Sequence, residues 1–412
     1  MSPARTPPRL GFALSLLAID ALGIGIVIPV VPQLVLALAG GDPSEGARWV
    51  GLLAASFSAT QFLFSPLLGA LSDRHGRRPV LLVSILGLGA SYLLLGLAPS
   101  LAWLLAARLL AGATTANVSA VTAYIADVSP PERRAQRFGL IGAMFGLGFI
   151  LGPVVGGLLG SLSLRLPFYA ASGLAFANAL WGFLSLPESL PPERRRRWRW
   201  REINPLLVFL RLGRGGREGR LALAWSLSWF GLGALQSTFV LSMGLRFGWA
   251  SRGNGLALAA SGLAQTVVQA FLMRRFSRRL GETRTARLGC TLAALAHLTF
   301  ALAPTPAFIG VAIGLSALGA IHSPALRALF SAAAGPERQG EAQGTLAALQ
   351  SLTAILSPLI GAASFAYFTA PHTPVFFPGA PFLLAALCYA AAALLVPAGR
   401  AAPLTSAPPG AG

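Results

Sequence analysis

Of the thirteen acidic residues in this 412-residue chain, Asp20 alone falls well inside an apolar run; the others occupy polar connections or the ends of such runs. About ten residues separate Asp20 from the start of its run, a depth of about 15 Å at the helical rise. A carboxylate that deep in hydrocarbon is unfavourable unless it is paired, hydrated or neutralised by a proton. Asp20 is therefore a group able to take up and release a proton as its surroundings alternate between wet and dry. Arg108 lies in another apolar run, about eight residues or ~12 Å from its other end, so the two depths nearly coincide. The plainer readings are a buried structural ion pair for both, or a snorkelling interfacial residue for Arg108. Depth does not fix the rotation of either helix, so whether the two face each other stays open.

Twelve apolar runs must position these groups, at roughly 10 to 36, 49 to 71, 80 to 98, 101 to 125, 138 to 160, 167 to 187, 221 to 245, 253 to 273, 286 to 303, 307 to 333, 342 to 368 and 378 to 397. Most approach the ~20 residues that cross a bilayer core. A hydrophobic fraction of 55% against 11% charged residues also belongs to the membrane class. The expected fold class is an all-α membrane protein with twelve transmembrane helices in two pseudo-symmetric six-helix bundles. Met1 to Leu10 is short and basic like the start of a signal peptide, but the run behind it is full length and holds an Asp, so it is expected to remain as the first helix. Cys290 and Cys388 both sit inside apolar runs and read as buried structural cysteines.

A net charge of +19 raises the question of a nucleic-acid partner. All 32 basic residues are arginine, and their placement argues for topology instead. With a cytoplasmic N-terminus, Arg5, Arg9, Arg74, Arg77, Arg78, Arg133, Arg134, Arg137, the ten arginines from Arg194 to Arg220, the six from Arg274 to Arg287, Arg338 and Arg400 fall on one side; Arg48, Arg165, Arg246 and Arg252 lie near the other. This is the positive-inside asymmetry. It predicts a multi-pass protein of the inner (cytoplasmic) cell membrane with both termini cytoplasmic, a lipid-bilayer environment and no nucleic-acid partner.

The halves repeat at an offset of 205 residues, which pairs Gly76 with Gly281, Pro131-Glu132-Arg133 with Pro336-Glu337-Arg338, Gly139 with Gly344 and Pro153 with Pro358. The expected organisation is a first bundle over 1–187, a basic cytoplasmic linker over 188–220, a second bundle over 221–400 and a flexible tail over 401–412. Trp198 and Trp200 among the linker arginines read either as an amphipathic interfacial stretch or as part of a solvated connector. Paired bundles of this kind suit a carrier that rocks about a midplane site.

At this point the chain resembles the major facilitator superfamily. Gly69-Ala-Leu-Ser-Asp-Arg-His-Gly-Arg-Arg-Pro-Val80 matches that superfamily's signature between helices two and three, with Asp73, Arg74, Gly76, Arg77 and Arg78 all present. Gly146-Leu-Gly-Phe-Ile-Leu-Gly-Pro-Val-Val-Gly-Gly157, with Gly148, Gly152, Pro153, Gly156 and Gly157, resembles helix five of the drug/proton antiporter branch; small residues there also serve close helix packing. Leu17 to Pro29, Gln61-Phe62 with Ser65 to Gly69, and Ala116 to Asp127 are similar to the tetracycline/proton antiporter group. In the second half the likeness rests on Gln269-Ala270-Phe271 and the Pro324 segment.

The resemblance implies proton-coupled export of small amphipathic drugs, tetracycline a suspected substrate, by a monomer that uses the proton gradient and no cofactor. Asp20 and Arg108 would couple protons: the ionised carboxylate near the guanidinium favours drug binding, and protonation releases the drug. Asp73, Arg74, Gly76, Arg77, Arg78 and Asp127 would form a cytoplasmic gate, with Asp73 against a facing helix end and the arginines toward Asp127. Substrate-cavity candidates are Gln61, Asn117, Trp225, Trp229, Gln236, Gln265, Gln269 and His322, with Gln33, His297 and Arg327 as further polar residues in helices. Most such residues serve helix packing, and for His322 a structural histidine is an equal reading. Two carboxylates typical of tetracycline exporters are replaced, by Ser91 before Tyr92 and by about Ala293. ATP-driven pumping is excluded because a P-loop needs its Lys; no catalytic site, metal-ligand cluster or dinucleotide motif is present, so the chain is not expected to be an enzyme. A proton-coupled symporter importing a nutrient or metabolite, and more remotely a non-transporting membrane sensor, stay open as alternatives.

Overall fold

A computed structural model describes residues 10–115, 117–195 and 216–397. The linker stretch 196–215 with Trp198 and Trp200, and the tail 398–412, lie outside the described residues. The described structure is helical: α1 (Leu10–Val27), α2 (Val31–Leu38), α3 (Pro43–His75), α4 (Arg77–Leu97), α5 (Leu101–Thr114), α6 (Asn117–Asp127), α7 (Pro131–Leu162) and α8 (Leu166–Ser185) form the first half. The second half holds α9 (Arg217–Phe247), α10 (Ser251–Val267), a π-helical turn (Val268–Leu272), α11 (Met273–Leu302), α12 (Pro306–Gly319), α13 (His322–Ala334), α14 (Gln339–Thr369) and α15 (Ala380–Leu395). Helices satisfy every backbone group internally, which is what an apolar solvent demands. Among the described residues, seven helical stretches are long and apolar enough to cross a membrane. One of them, Ser251–Leu302, turns at Gly281 (φ 73°) and so carries two passages. That stretch counted twice, together with the two shorter apolar helices Leu101–Thr114 and Ala380–Leu395, gives ten passages, and α8 and α9 lie on two further apolar runs of the sequence.

Three runs expected as continuous helices are broken, each for a local reason. Between α1 and α2 stands Pro29, and Pro32 follows in the first turn of α2; neither donates a backbone hydrogen bond. At the end of α5 the Thr114 and Thr115 hydroxyls donate to the carbonyls of Leu110 and Ala111 at 2.9 and 2.6 Å, competing with the helical ladder. Between α12 and α13 the chain turns at Ala320 and Ile321 just ahead of Pro324. Conversely α3, α7, α9 and α14 outrun their apolar cores, at 33, 32, 31 and 31 residues. The outer start of α3 is capped by Asp42, whose side chain accepts from the Ser44 N–H at 2.8 Å, the usual way an orphan N-terminal donor is satisfied.

The internal repeat is visible in the backbone. Gly76 (φ 110°) and Gly281 (φ 73°), equivalent at the 205-residue offset, both occupy the left-handed side that favours glycine, and Pro153 and Pro358 both sit inside long helices. Two arginines on the less basic side also find a local explanation. Arg165 donates to the carbonyls of Gly96 and Ala98 at the end of α4 (2.7 and 2.9 Å), and Arg246 to those of Phe300 and Ala303 at the end of α11 (2.7 and 2.6 Å). Both satisfy C-terminal carbonyls with a favourably placed positive charge.

The bundles meet at the end away from the basic loops. There Gln33 Oε1 accepts from the Ser251 hydroxyl at 2.6 Å. A Cβ built on Gly51 of α3 would fall 2.6 Å from Ala362 Cβ of α14, and one on Gly157 of α7 would fall 2.8 Å from the Ser251 carbonyl. Nearer the basic end of the same interface helices, a Cβ on Gly69, Gly139, Gly142, Gly340 or Gly344 would meet nothing within 4 Å. A wedge therefore opens between the bundles toward the basic end.

Within the first bundle α7 packs backbone to backbone on α1. A Cβ on Gly148 would meet Ala21 at 2.5 Å, one on Gly152 would meet Gly25 at 2.5 Å, and one on Gly156 would strike the Ile26 carbonyl. Gly152→Leu is expected to destabilise the protein by about 1–3 kcal/mol through overpacking, seen as a lower melting temperature in detergent. Gly142→Leu on the same helix should leave melting within about 0.5 kcal/mol.

Candidate functional site

Asp20 sits on α1 at 7% exposure, one residue before the Ala21 that packs on Gly148. Tyr92 of α4, 3% exposed, reaches the same place: a Cβ on Gly23 would lie 3.6 Å from its ring, and the tyrosine feels the charges of both Asp20 and Arg108. Ser91 fixes α4 against α5 by donating to the Ala107 carbonyl at 2.9 Å, next to Arg108. Asp20, Tyr92 and Arg108 thus share one neighbourhood built from three helices. Among the described residues Arg108 forms no ion pair within 4 Å, and its buried Nη2 has no hydrogen-bond partner. In this conformation Tyr92 is a polar group within reach of the charges of both Asp20 and Arg108.

The loop between α3 and α4 is organised by the first residue of the expected linker. Glu188 accepts from the backbone N–H groups of Arg77 (2.8 Å), Arg78 (3.2 Å), Ser189 (3.0 Å) and Leu190 (3.0 Å). A carboxylate is favoured at the N-terminus of α4 by the orphan donors and the helix dipole. Gly76 is required beside it, because a Cβ there would strike the Glu188 carboxylate. Arg77 joins Asp73 at 2.5 Å and Asp127 at 3.2 Å; Arg78 donates to the Phe183 carbonyl and lies over the Phe183 ring. Ser189 Oγ donates to Asp127 at 3.1 Å, and the Tyr124 hydroxyl donates to the Pro187 carbonyl at 3.1 Å.

Residues 188–190, at the start of the expected linker, thus contact the first bundle, and among the described residues Asp73 pairs with Arg77 at the start of α4. The arginine contact with Asp127 is present, while Arg74 is exposed. In the second bundle Arg338 pairs with Glu218 at 2.6 Å; the carboxylate raises the Arg338 pKa above its ordinary value.

Other site residues scatter. Gln61, Gln265 and Trp229 are half-buried, while Gln236 and Gln269 are exposed, the latter in the π-helical turn. Asn117 starts α6, but its side chain lies outside what is described. Two cavity candidates turn out to be packed in the second bundle. Trp225 is 1% exposed and donates from Nε1 to the Leu346 carbonyl at 3.1 Å. His322 is buried, its Nδ1 2.8 Å from the Gly319 carbonyl and its ring against Tyr389. His297 is likewise buried, Nδ1 2.7 Å from the Ala293 carbonyl. Small residues allow these packings, since Gly231 abuts Tyr389 and Gly289 the His322 backbone. Cys290 and Cys388 are free and buried. No cluster of metal-ligating residues occurs among the described residues.

Comparison with known proteins bears on this arrangement. The family model described as Major Facilitator Superfamily matches residues 13–234 and again 221–411. The class C tetracycline resistance protein of Escherichia coli is 39% identical over 86% of this chain and 88% of its own length. The crystal structure of the human organic anion transporter MFSD10 superposes with a TM-score of 0.67 at 27% identity, covering 94% of this chain and 98% of that one. The nucleoside transporter NupG shares the fold with a TM-score of 0.74 at 14% identity, covering 94% and 98%.

Replacing Glu188 with Ala should destabilise the protein by about 1–3 kcal/mol, the range for a carboxylate whose partners are left as unsatisfied donors. The change is read as a drop in melting temperature of the purified protein. Glu193→Ala, an exposed acid a few residues on, should leave melting unchanged.

Proposed function

The chain belongs to the major facilitator superfamily, and we propose that it exports small amphipathic drugs, tetracycline among them, in exchange for protons by alternating access. It is a multi-pass membrane transporter and not an enzyme. The observation that carries the finer reading is Asp20. It is a carboxylate held at membrane depth beside Tyr92 and Arg108, in a chain 39% identical to a tetracycline resistance protein.

Moving a proton onto Asp20 removes a charge whose burial at the centre of a membrane helix is unfavourable by about 3 kcal/mol. That is enough to bias an equilibrium between two conformers more than a hundredfold. The glycine contacts supply a route for the bias. Asp20 adjoins Ala21, Ala21 packs on Gly148 of α7, and further along α7 Pro153 and Gly157 pack on Gly255 of the other bundle's α10. A shift of α1 that accompanies protonation is thus felt at the interface between bundles.

With the basic loops on the cytoplasmic side, the wedge opens to the cytoplasm, the side from which an exporter collects its substrate. Drug enters while Asp20 is ionised. The bundles then close over it and open outward, where a proton taken up by Asp20 favours release. In this conformation the loop between α3 and α4 holds its own bundle together, and its exposed Arg74 is free to meet the opposite bundle when the wedge closes.

In inside-out vesicles carrying an imposed pH gradient, wild-type protein is expected to accumulate tetracycline while dissipating the gradient. Asp20→Asn should lower this gradient-driven uptake at least tenfold, and Asp20→Glu should retain part of it. Full gradient-driven uptake by Asp20→Asn would sink the coupling assignment, and drug movement in the direction of the protons would point to a symporter.

A further inference from the structure

Arg327 of α13 is a membrane-depth cation that the proton-coupling reading does not use. It lies seven residues, or about 10 Å, from the basic end of its helix. It is exposed, and among the described residues it forms neither a hydrogen bond nor an ion pair. Among those residues it lies over an aromatic ring, with Cζ 5.5 Å from the centre of Trp225. That ring is a fixed shelf: Trp225 is buried, tethered to the Leu346 carbonyl through Nε1, and packed against Trp229 at 5.7 Å.

The side of α13 that carries Arg327 is the one not packed into the second bundle. Its opposite face, His322, Ala325, Leu326, Leu329 and Phe330, is buried in the second bundle with Ala286 and Cys290 of α11. Pro324 and Ala328 are exposed beside Arg327, and the next position along that side, Ser331, is bonded by Gln343 of α14, a helix that borders the other bundle.

A guanidinium held over an indole by a cation–π contact has no N–H committed to a carboxylate, and its N–H groups form a fork matched to two oxygens of one anion. A snorkelling arginine would carry its charge along the helix to water; this one is retained over Trp225. Resting on the transport reading above, we propose that Arg327 on its Trp225 shelf is an anion-recognition site in the wedge. It takes the deprotonated oxygen of an aromatic substrate, a carboxylate or an enolate, while the substrate's rings lie toward Trp229. The second bundle would then read a negative group on the substrate while the first bundle handles the proton at Asp20. Such a division selects anionic and zwitterionic amphiphiles over purely cationic ones.

The test is equilibrium dialysis of the purified full-length protein with radiolabelled 1-naphthoate and with 1-naphthamide, which differ in the anionic group alone. Wild type should bind the naphthoate about tenfold more tightly, as expected for one charge-assisted contact. Arg327→Gln should bring the two within about twofold. Arg327→Lys keeps the charge but not the fork, and should lower the preference at least threefold even if the Gln variant fails to fold. Equal binding of the two ligands by wild type, or an undiminished preference in either variant, overturns the proposal. Tetracycline transport by wild type in proteoliposomes is scored separately. An intact naphthoate preference without drug transport would fault the export reading and leave the site standing; transport without the preference would do the reverse.

Discussion

The close approach of α7 to its neighbours is the constraint on which the rest of the molecule depends. Lipid offers no hydrophobic reward for bringing helices together, so association rests on packing and on small residues that let backbones touch. Gly148, Gly152 and Gly156 give one side of α7 to Ala21, Gly25 and Ile26 of α1, while Pro153 and Gly157 give another to Gly255 of α10. One helix is thereby in contact with the proton-binding helix of its own bundle and with the interface helix of the other. The rotation of α1 that turns Asp20 inward is set by these contacts, since a side chain at any of the three glycines would push α1 away.

Electrostatics is arranged around that scaffold in three layers. At membrane depth Tyr92 lies within reach of the charges of Asp20 and Arg108, and Arg327 lies over the Trp225 ring. At the basic end, carboxylates and arginines pair within each bundle, through Arg77 with Asp73 and Asp127 and through Arg338 with Glu218. At the far end, Arg165 and Arg246 serve as caps on helix carbonyls. Among the described residues the two deep arginines, Arg108 and Arg327, form no ion pair in the conformation seen.

The departures from tetracycline exporters have structural counterparts. Where such proteins typically carry a carboxylate before the tyrosine of helix three, Ser91 here is buried and spends its hydroxyl on the Ala107 carbonyl. Around the second lost carboxylate, Ala293 is buried and its carbonyl lies 2.7 Å from His297 Nδ1. Both places are packed as core, so the negative charge available to a substrate is concentrated at Asp20. That leaves room for Arg327 to set the charge preference of the second bundle.

Hydrophobic run length, arginine asymmetry and the 205-residue repeat were enough to read the helical membrane fold and its duplication, because bilayer thickness and insertion act on the chain locally. Asp20 and the loop from Gly69 to Val80 were legible for the same reason: a charge in an apolar run and a charged loop between two such runs stand out in one dimension. Glu188 was not, because nothing in its own neighbourhood reveals that the N-terminus of α4, more than a hundred residues earlier, lies against it. Trp225 and His322 look like cavity residues by depth, yet the rotation of their helices turns them into the bundle core and turns Arg327 out. The sequence by itself determined which segments are long apolar helices, where the charges lie along them and which positions repeat between the halves. Tertiary structure alone decided which face of each helix meets a partner, because that depends on contacts between backbones far apart in the chain, and so it decided which of the deep polar residues stand in the wedge.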